Sequence, residues 1–112
     1  MANWLAFFAL TKKAYPKADI KYFLLLGPMI AGGGLPLSPL KMEPGVLKAV
    51  AAGVAAGYDV TYVNATDACG PALTGCVDGC GGGHPGESGH RAMALRALPV
   101  IAAKMGLPYA PF

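Results

Sequence analysis

The chain is poor in charge. Of its 112 residues only 13% are Asp, Glu, Lys or Arg, while 54% are hydrophobic. An ordinary soluble domain carries roughly 25% charged residues. Two arrangements remain: a compact, well-buried chain, or one that turns apolar faces toward a partner. Acidic residues are the scarcer kind, 6 against 9 basic, for a formal net charge of +3. The basic residues are scattered and never exceed two in a row, with no aromatic ladder between them. That pattern is expected of a mixed solvated surface and argues against a nucleic-acid partner. Long hydrophobic runs are also missing. No stretch approaches the roughly 18 apolar residues of a membrane span, so no membrane partner is expected. The opening MANWLAFFALTKK makes a poor signal peptide, because its apolar core is short and its lysines follow that core. If the chain begins at Met1 it is expected to be intracellular; a leader on a longer parent would make it secreted. Serine is nearly absent: only Ser38 and Ser88 occur, and there is no Gly-Asp-Ser string.

What is present fits one domain over residues 1–112, long enough for a modest core. Residues 2–14 read as a helix with Trp4, Leu5, Phe8 and Ala9 on one stripe, ended by Tyr15-Pro16. Ile20 to Leu26 reads as a strand, and its continuous apolar run Tyr22 to Leu26 suits burial on both faces. A long loop from residue 29 to 42 follows. Glu43-Pro44 then opens a helix to about Ala56, with Gly57 as its C-terminal cap. Tyr58 to Val63 is a second strand, rich in β-branched and aromatic residues. A second loop, 64–83, holds all three cysteines. The last helix runs from Gly86 or Glu87 to Met105, with His90, Ala94, Ala97, Leu98, Ile101 and Met105 expected inward. Arg91 and Lys104 are expected outward, Pro99 should kink this helix, and Gly106 should cap it. Strands alternating with helices imply parallel strands and right-handed crossovers. Two strands make a poor sheet alone, so a larger sheet is expected.

In open parallel sheets ligands bind beyond the carboxyl ends of the strands, where the two long loops and His84 fall. The string GGGHPGESGHRAMALRALPVIAAKMGL, residues 81–107, resembles the final block of SGNH (GDSL-type) hydrolases, with His84-Pro85 before a helix and Gly89-His90 a few residues on. The string YPKADIKYFLLLGPM, residues 15–29, is similar to the strand and Gly-Pro-Met loop of carbohydrate esterase family two. The resemblance covers nearly the whole chain. It implies a partial flavodoxin-like, three-layer α/β/α fold with parallel strands, in the order helix-strand-helix-strand-helix. It also implies acyl transfer without a cofactor: a serine attacks an ester carbonyl, and a histidine takes its proton and returns it to the leaving alcohol.

Only the histidine carries over, onto His84. The family's nucleophile block, second oxyanion glycine and asparagine lie N-terminal to the matched segment. The chain therefore reads as the C-terminal part of such a domain, completed by a missing N-terminal segment or by self-association. The acid that many relatives place three residues before the histidine is Gly81 here. Asp78 could fold back to orient the ring, or a backbone carbonyl could do so, as in some family-two relatives. Gly82, Gly83, Pro28 and Met29 are the substrate-loop candidates. The partner implied is a small-molecule or carbohydrate ester, acetyl esters foremost.

Bland readings compete at each residue. Without the resemblance, His84 is a loop histidine. His90, on the inward stripe, is expected to hydrogen-bond a loop carbonyl. Ser88 is expected to serve the first turn of the last helix, and it sits too close to His84 to be its nucleophile. Ser38 lies in a proline-rich loop. Cys69, Cys76 and Cys80 form C-x6-C-x3-C-x3-H with His84, a possible zinc set without the usual close pair. One disulfide with a free thiol, or three reduced cysteines, are the other readings. Gly81-Gly82-Gly83 has neither the Lys-Ser/Thr of a phosphate loop nor the spacing of a dinucleotide loop. A catalytically inactive α/β remnant, a binding module and a zinc-stabilised small domain remain as alternatives to the esterase.

Overall fold

The computed structural model describes residues 2–27, 39–68 and 86–110. The chain is mixed α/β. In order come α1 (Ala2–Ala14), β1 (Lys21–Leu26), α2 (Pro39–Ala55), β2 (Asp59–Asn64) and α3 (Glu87–Met105). β1 and β2 pair in parallel, with Lys21 opposite Asp59 and Leu26 opposite Asn64. The amide of Ala65 extends the ladder by one bond to the Leu26 carbonyl at 2.9 Å.

Strand alternation sorts the side chains into two faces. Tyr22, Leu24 and Val60 point toward α1 and α2, where they form the core with Phe8 and Ala49. Val63, 1% exposed, points to the other face, on which α3 packs. Burial of β1 on both faces is not what the structure shows. Tyr22, Leu24 and Leu26 are buried, but Leu25 on the α3 side is 43% exposed. Among the described residues α3 alone packs on that face. Among the described residues the sheet has two strands, so each keeps one open edge.

The centre of the core is Phe8, with no exposed surface. Its ring lies 4.5 Å from that of Tyr22 and 5.4 Å from that of Tyr58, within the range of favourable aromatic pairs. The Tyr22 hydroxyl donates to the Phe8 carbonyl at 3.2 Å and also contacts the Thr11 hydroxyl, so its burial leaves no polar group unmet. Of the expected α1 stripe, Leu5 is half-buried and Phe8 fully buried, while Trp4 and Ala9 are exposed.

α2 begins at Pro39, not at Glu43-Pro44. Proline suits a first turn by its fixed φ, and Pro39 fills that role. Pro44 then falls inside the helix, where it removes one hydrogen bond near the end without breaking the element. Both helix ends with glycine caps follow expectation. Gly57 (φ 90°) donates to Val54 O and Tyr58 N to Gly53 O, both at 3.0 Å. Gly106 (φ 65°) donates to Ala103 O and Leu107 N to Ala102 O. These bond pairs are Schellman motifs, and the positive φ is why glycine stands there. α3 continues through Pro99 as one element. Its expected inward stripe is only partly observed: Ala94, Ala97, Leu98 and Ile101 are half-buried, but His90 and Met105 are exposed. Gly89 and Ala102 are the buried positions, because residues with little or no side chain let the helix approach the sheet.

Gly53 decides how closely α2 lies on the sheet. A Cβ there would stand 2.7 Å from Val60 Cγ2 and 2.9 Å from Phe8 Cε2. Both neighbours are buried and have no room to yield. Gly53→Ala gains up to about 1 kcal/mol in helix propensity and loses roughly 1–3 kcal/mol to overpacking. Denaturant unfolding is expected to show a net loss of stability; an unchanged or raised midpoint would contradict this packing.

Candidate functional site at the carboxyl edge of the sheet

Both flanking helices run against the strands. The Tyr62 hydroxyl, near the end of β2, donates to Glu43 Oε1 in the early turns of α2 at 2.9 Å. Tyr58, just before β2, bonds back to Gly53 near the end of α2. For α3, Lys104 near its end lies 3.9 Å from Asp59 at the start of β2. A Cβ on Gly27, directly after β1, would be 2.7 Å from the Met93 sulfur in the first half of α3. The early turns of α2 and α3 therefore both lie toward the carboxyl ends of the strands. There the positive ends of two helix dipoles favour a developing negative charge.

The described part of this edge is shaped by small residues and local bonds. Gly86 opens α3 with extended backbone (φ −81°, ψ −163°), and its carbonyl accepts the His90 amide at 3.0 Å. Gly86 and Gly89 are buried, while Glu87, Ser88 and His90 are exposed. His90 therefore does not lie on the inward side of the helix. After β2, Asn64 Oδ1 accepts from the Thr66 amide at 3.0 Å and the Thr66 hydroxyl at 2.7 Å, which fixes a tight turn. Asp67 beyond that turn reaches Arg96 of α3 at 3.3 Å. Both side chains are more than half exposed, so the pair contributes at most about 1 kcal/mol.

His84, Asp78, Gly82, Gly83, Pro28, Met29 and the three cysteines Cys69, Cys76 and Cys80 lie outside the described residues, as does Ser38. Among the described residues no three His, Cys, Asp or Glu side chains converge as metal ligands. The pair that sequence reading missed is Glu43–Tyr62. Nothing in the sequence links residues 19 apart on a helix and a strand; only the crossover brings them together. Desolvation holds the Tyr62 hydroxyl proton, aided by its bond to Glu43 and the charge of that carboxylate, and pushes its pKa up to about 12. The opposite, amino edge carries a cavity of about 180 Å3 lined in part by Lys12, Asp19, Tyr58 and Asp59. Its charges are already engaged. Lys21 Nζ bridges Asp19 and Asp59 at 3.1 Å each, and Lys12 Nζ donates to Ala18 O.

No family model, curated protein or solved structure matches this chain.

A raised tyrosine pKa means that the unfolded state releases the proton first, so stability falls as pH rises from about 10 toward 12. Lys21, whose pKa is raised by its hydrogen bonds to Asp59 and then Asp19, acts with the same sign in the alkaline range. Tyr62→Phe is expected to remove the tyrosinate step near pH 12 from an ultraviolet titration and to flatten the alkaline loss of stability. Loss of a step at ordinary tyrosine pH instead would contradict the Glu43 contact.

Proposed function

We propose that this chain is the histidine-bearing segment of an SGNH-type serine esterase acting on small acyl esters, acetyl esters of carbohydrates foremost. The observation that carries the reading is the direction of α3. Its first turn lies toward the carboxyl edge of a parallel sheet, where open α/β folds hold their ligands. In sequence His84 stands three residues before Glu87, the first residue of that helix.

In this reading His84 is the general base. It accepts the proton of a serine hydroxyl as the oxygen attacks the ester carbonyl, then returns it to the departing alcohol oxygen. The serine comes from a Gly-Asp-Ser segment outside these 112 residues. Asp78, or a backbone carbonyl in its place, fixes the tautomer of His84. Gly82, Gly83, Pro28 and Met29 are the residues assigned to the substrate loop, where glycine allows close backbone approach to the acyl group. The helix N-terminal field at this edge favours the tetrahedral oxyanion. No cofactor is required by this chemistry.

In a parent polypeptide that includes a Gly-Asp-Ser segment, His84→Ala is expected to lower kcat/KM for p-nitrophenyl acetate about a thousandfold. Its thermal unfolding should be unchanged. Near-normal turnover by the folded variant would remove His84 from the mechanism. The 112-residue chain alone is expected to show no His84-dependent turnover; if it did, the nucleophile would lie within it.

A further inference from the structure

The outer face of the α1–α2 layer is the wrong composition for a surface in water. In a three-layer α/β/α arrangement the far side of each helix layer meets solvent and is normally charged. α3 obeys this rule, with exposed Glu87, Arg91, Arg96 and Lys104. α1 and α2 do not. On α1, Phe7 is 50% and Leu10 66% exposed, with Trp4 at 40% beside them. On α2, Leu47 is 45% and Val54 55% exposed. Neither helix is apolar on its inner side alone, as the buried Phe8 and Ala49 show.

The charges on these two helices are four lysines against one acid. Their thirty residues hold one acid, Glu43, and its carboxylate is engaged by the Tyr62 hydroxyl. The exposed cations include Lys13 on α1 and Lys48 on α2. Residues 2–18 contain no acid at all, and the next, Asp19, is held to Lys21. A second copy is a poor occupant for such a face. A two-fold contact would bring lysine against lysine, with Glu43, already bonded to Tyr62, as the one carboxylate on each copy's two helices. An anionic lipid surface answers both features. Half-exposed Trp, Phe and Leu side chains enter the headgroup–acyl boundary, and the exposed lysines of the same two helices meet the lipid charge.

We propose that the α1–α2 face docks on anionic lipid surfaces, lying in the interface without crossing it. The expectation of no membrane partner rested on the lack of a spanning segment, and no described helix is long and apolar enough to cross. Peripheral adsorption needs no such helix. The inference does not depend on the esterase reading.

The test is flotation of the purified chain with two kinds of vesicle: phosphatidylcholine alone, and equimolar phosphatidylcholine and phosphatidylglycerol. Trp4 is the only tryptophan and lies in the face, so its emission reports entry directly. Binding is expected to the anionic vesicles, with a blue shift of Trp4 emission and weakening by added salt. Lys13→Gln and Lys48→Gln should each weaken it about fivefold, and Leu10→Ser about tenfold. These three side chains are exposed and their replacement should leave unfolding unchanged. Arg96→Gln on α3 serves as the control and should bind as the parent does. The proposal is overturned by absence of binding at low salt, or by equal binding to neutral vesicles. It is equally overturned by loss of binding with Arg96→Gln matching that of Lys13→Gln. A lipid-free dimer dispersed by Leu10→Ser, without vesicle binding, would assign the face to a second copy instead.

Discussion

Phe8 can be fully buried only because residue 53 is glycine. The aromatic ring occupies the gap that a methyl group on α2 would fill, and from there it meets Tyr22 on β1 and Tyr58 just before β2. One side chain thus joins α1, α2 and the amino half of the sheet. The height at which α2 sits is set by the same contact. That height in turn lets the Tyr62 hydroxyl reach Glu43 nearer the other end of the helix. A parallel pair of strands has little stability by itself, so the position of both carboxyl ends depends on this aromatic wedge.

The two ends of the sheet differ in their chemistry. At the amino edge Asp19 and Asp59 are tied to lysines, and the charges satisfy one another. At the carboxyl edge the early turns of α2 and α3 lie near the Asn64–Thr66 turn and the buried Gly86 and Gly89, and their dipoles favour negative charge. The proposed role of His84 draws on that asymmetry. The helix layers are asymmetric too: α3 shows water a mixed charged surface, whereas α1 and α2 show it large apolar groups together with exposed lysines.

Much of the element order was legible in the sequence. Proline and glycine punctuation marked α1, β1 and both Schellman caps, since those residues act through local φ constraints that need no tertiary context. The start of α2 was misread because two prolines, Pro39 and Pro44, could each open a helix, and only packing decides between them. His90 was misplaced for a related reason. A periodic stripe assumes that large residues face inward, but α3 approaches the sheet through Gly89 and Ala102. The two-sided burial of β1 was overstated because an apolar run does not reveal how many helices cover it. At the site, the start of α3 near Gly86 was readable, whereas Glu43–Tyr62 depends on a crossover that no local pattern encodes. The sequence-derived site residues proper, from Pro28 to His84, lie outside the described residues, and their roles rest on resemblance.

The direction of α3 supports the functional reading more than any other feature, and one measurement addresses it. Nuclear Overhauser contacts from the Met93 methyl group, in the folded chain, would locate the first half of this helix. Contacts to the Gly27 α protons are expected, because the Met93 sulfur lies close beside that residue. Contacts from Met93 to Tyr58 or Asp59 instead would turn the helix end for end. That result would remove the basis for proposing a catalytic histidine at the carboxyl edge.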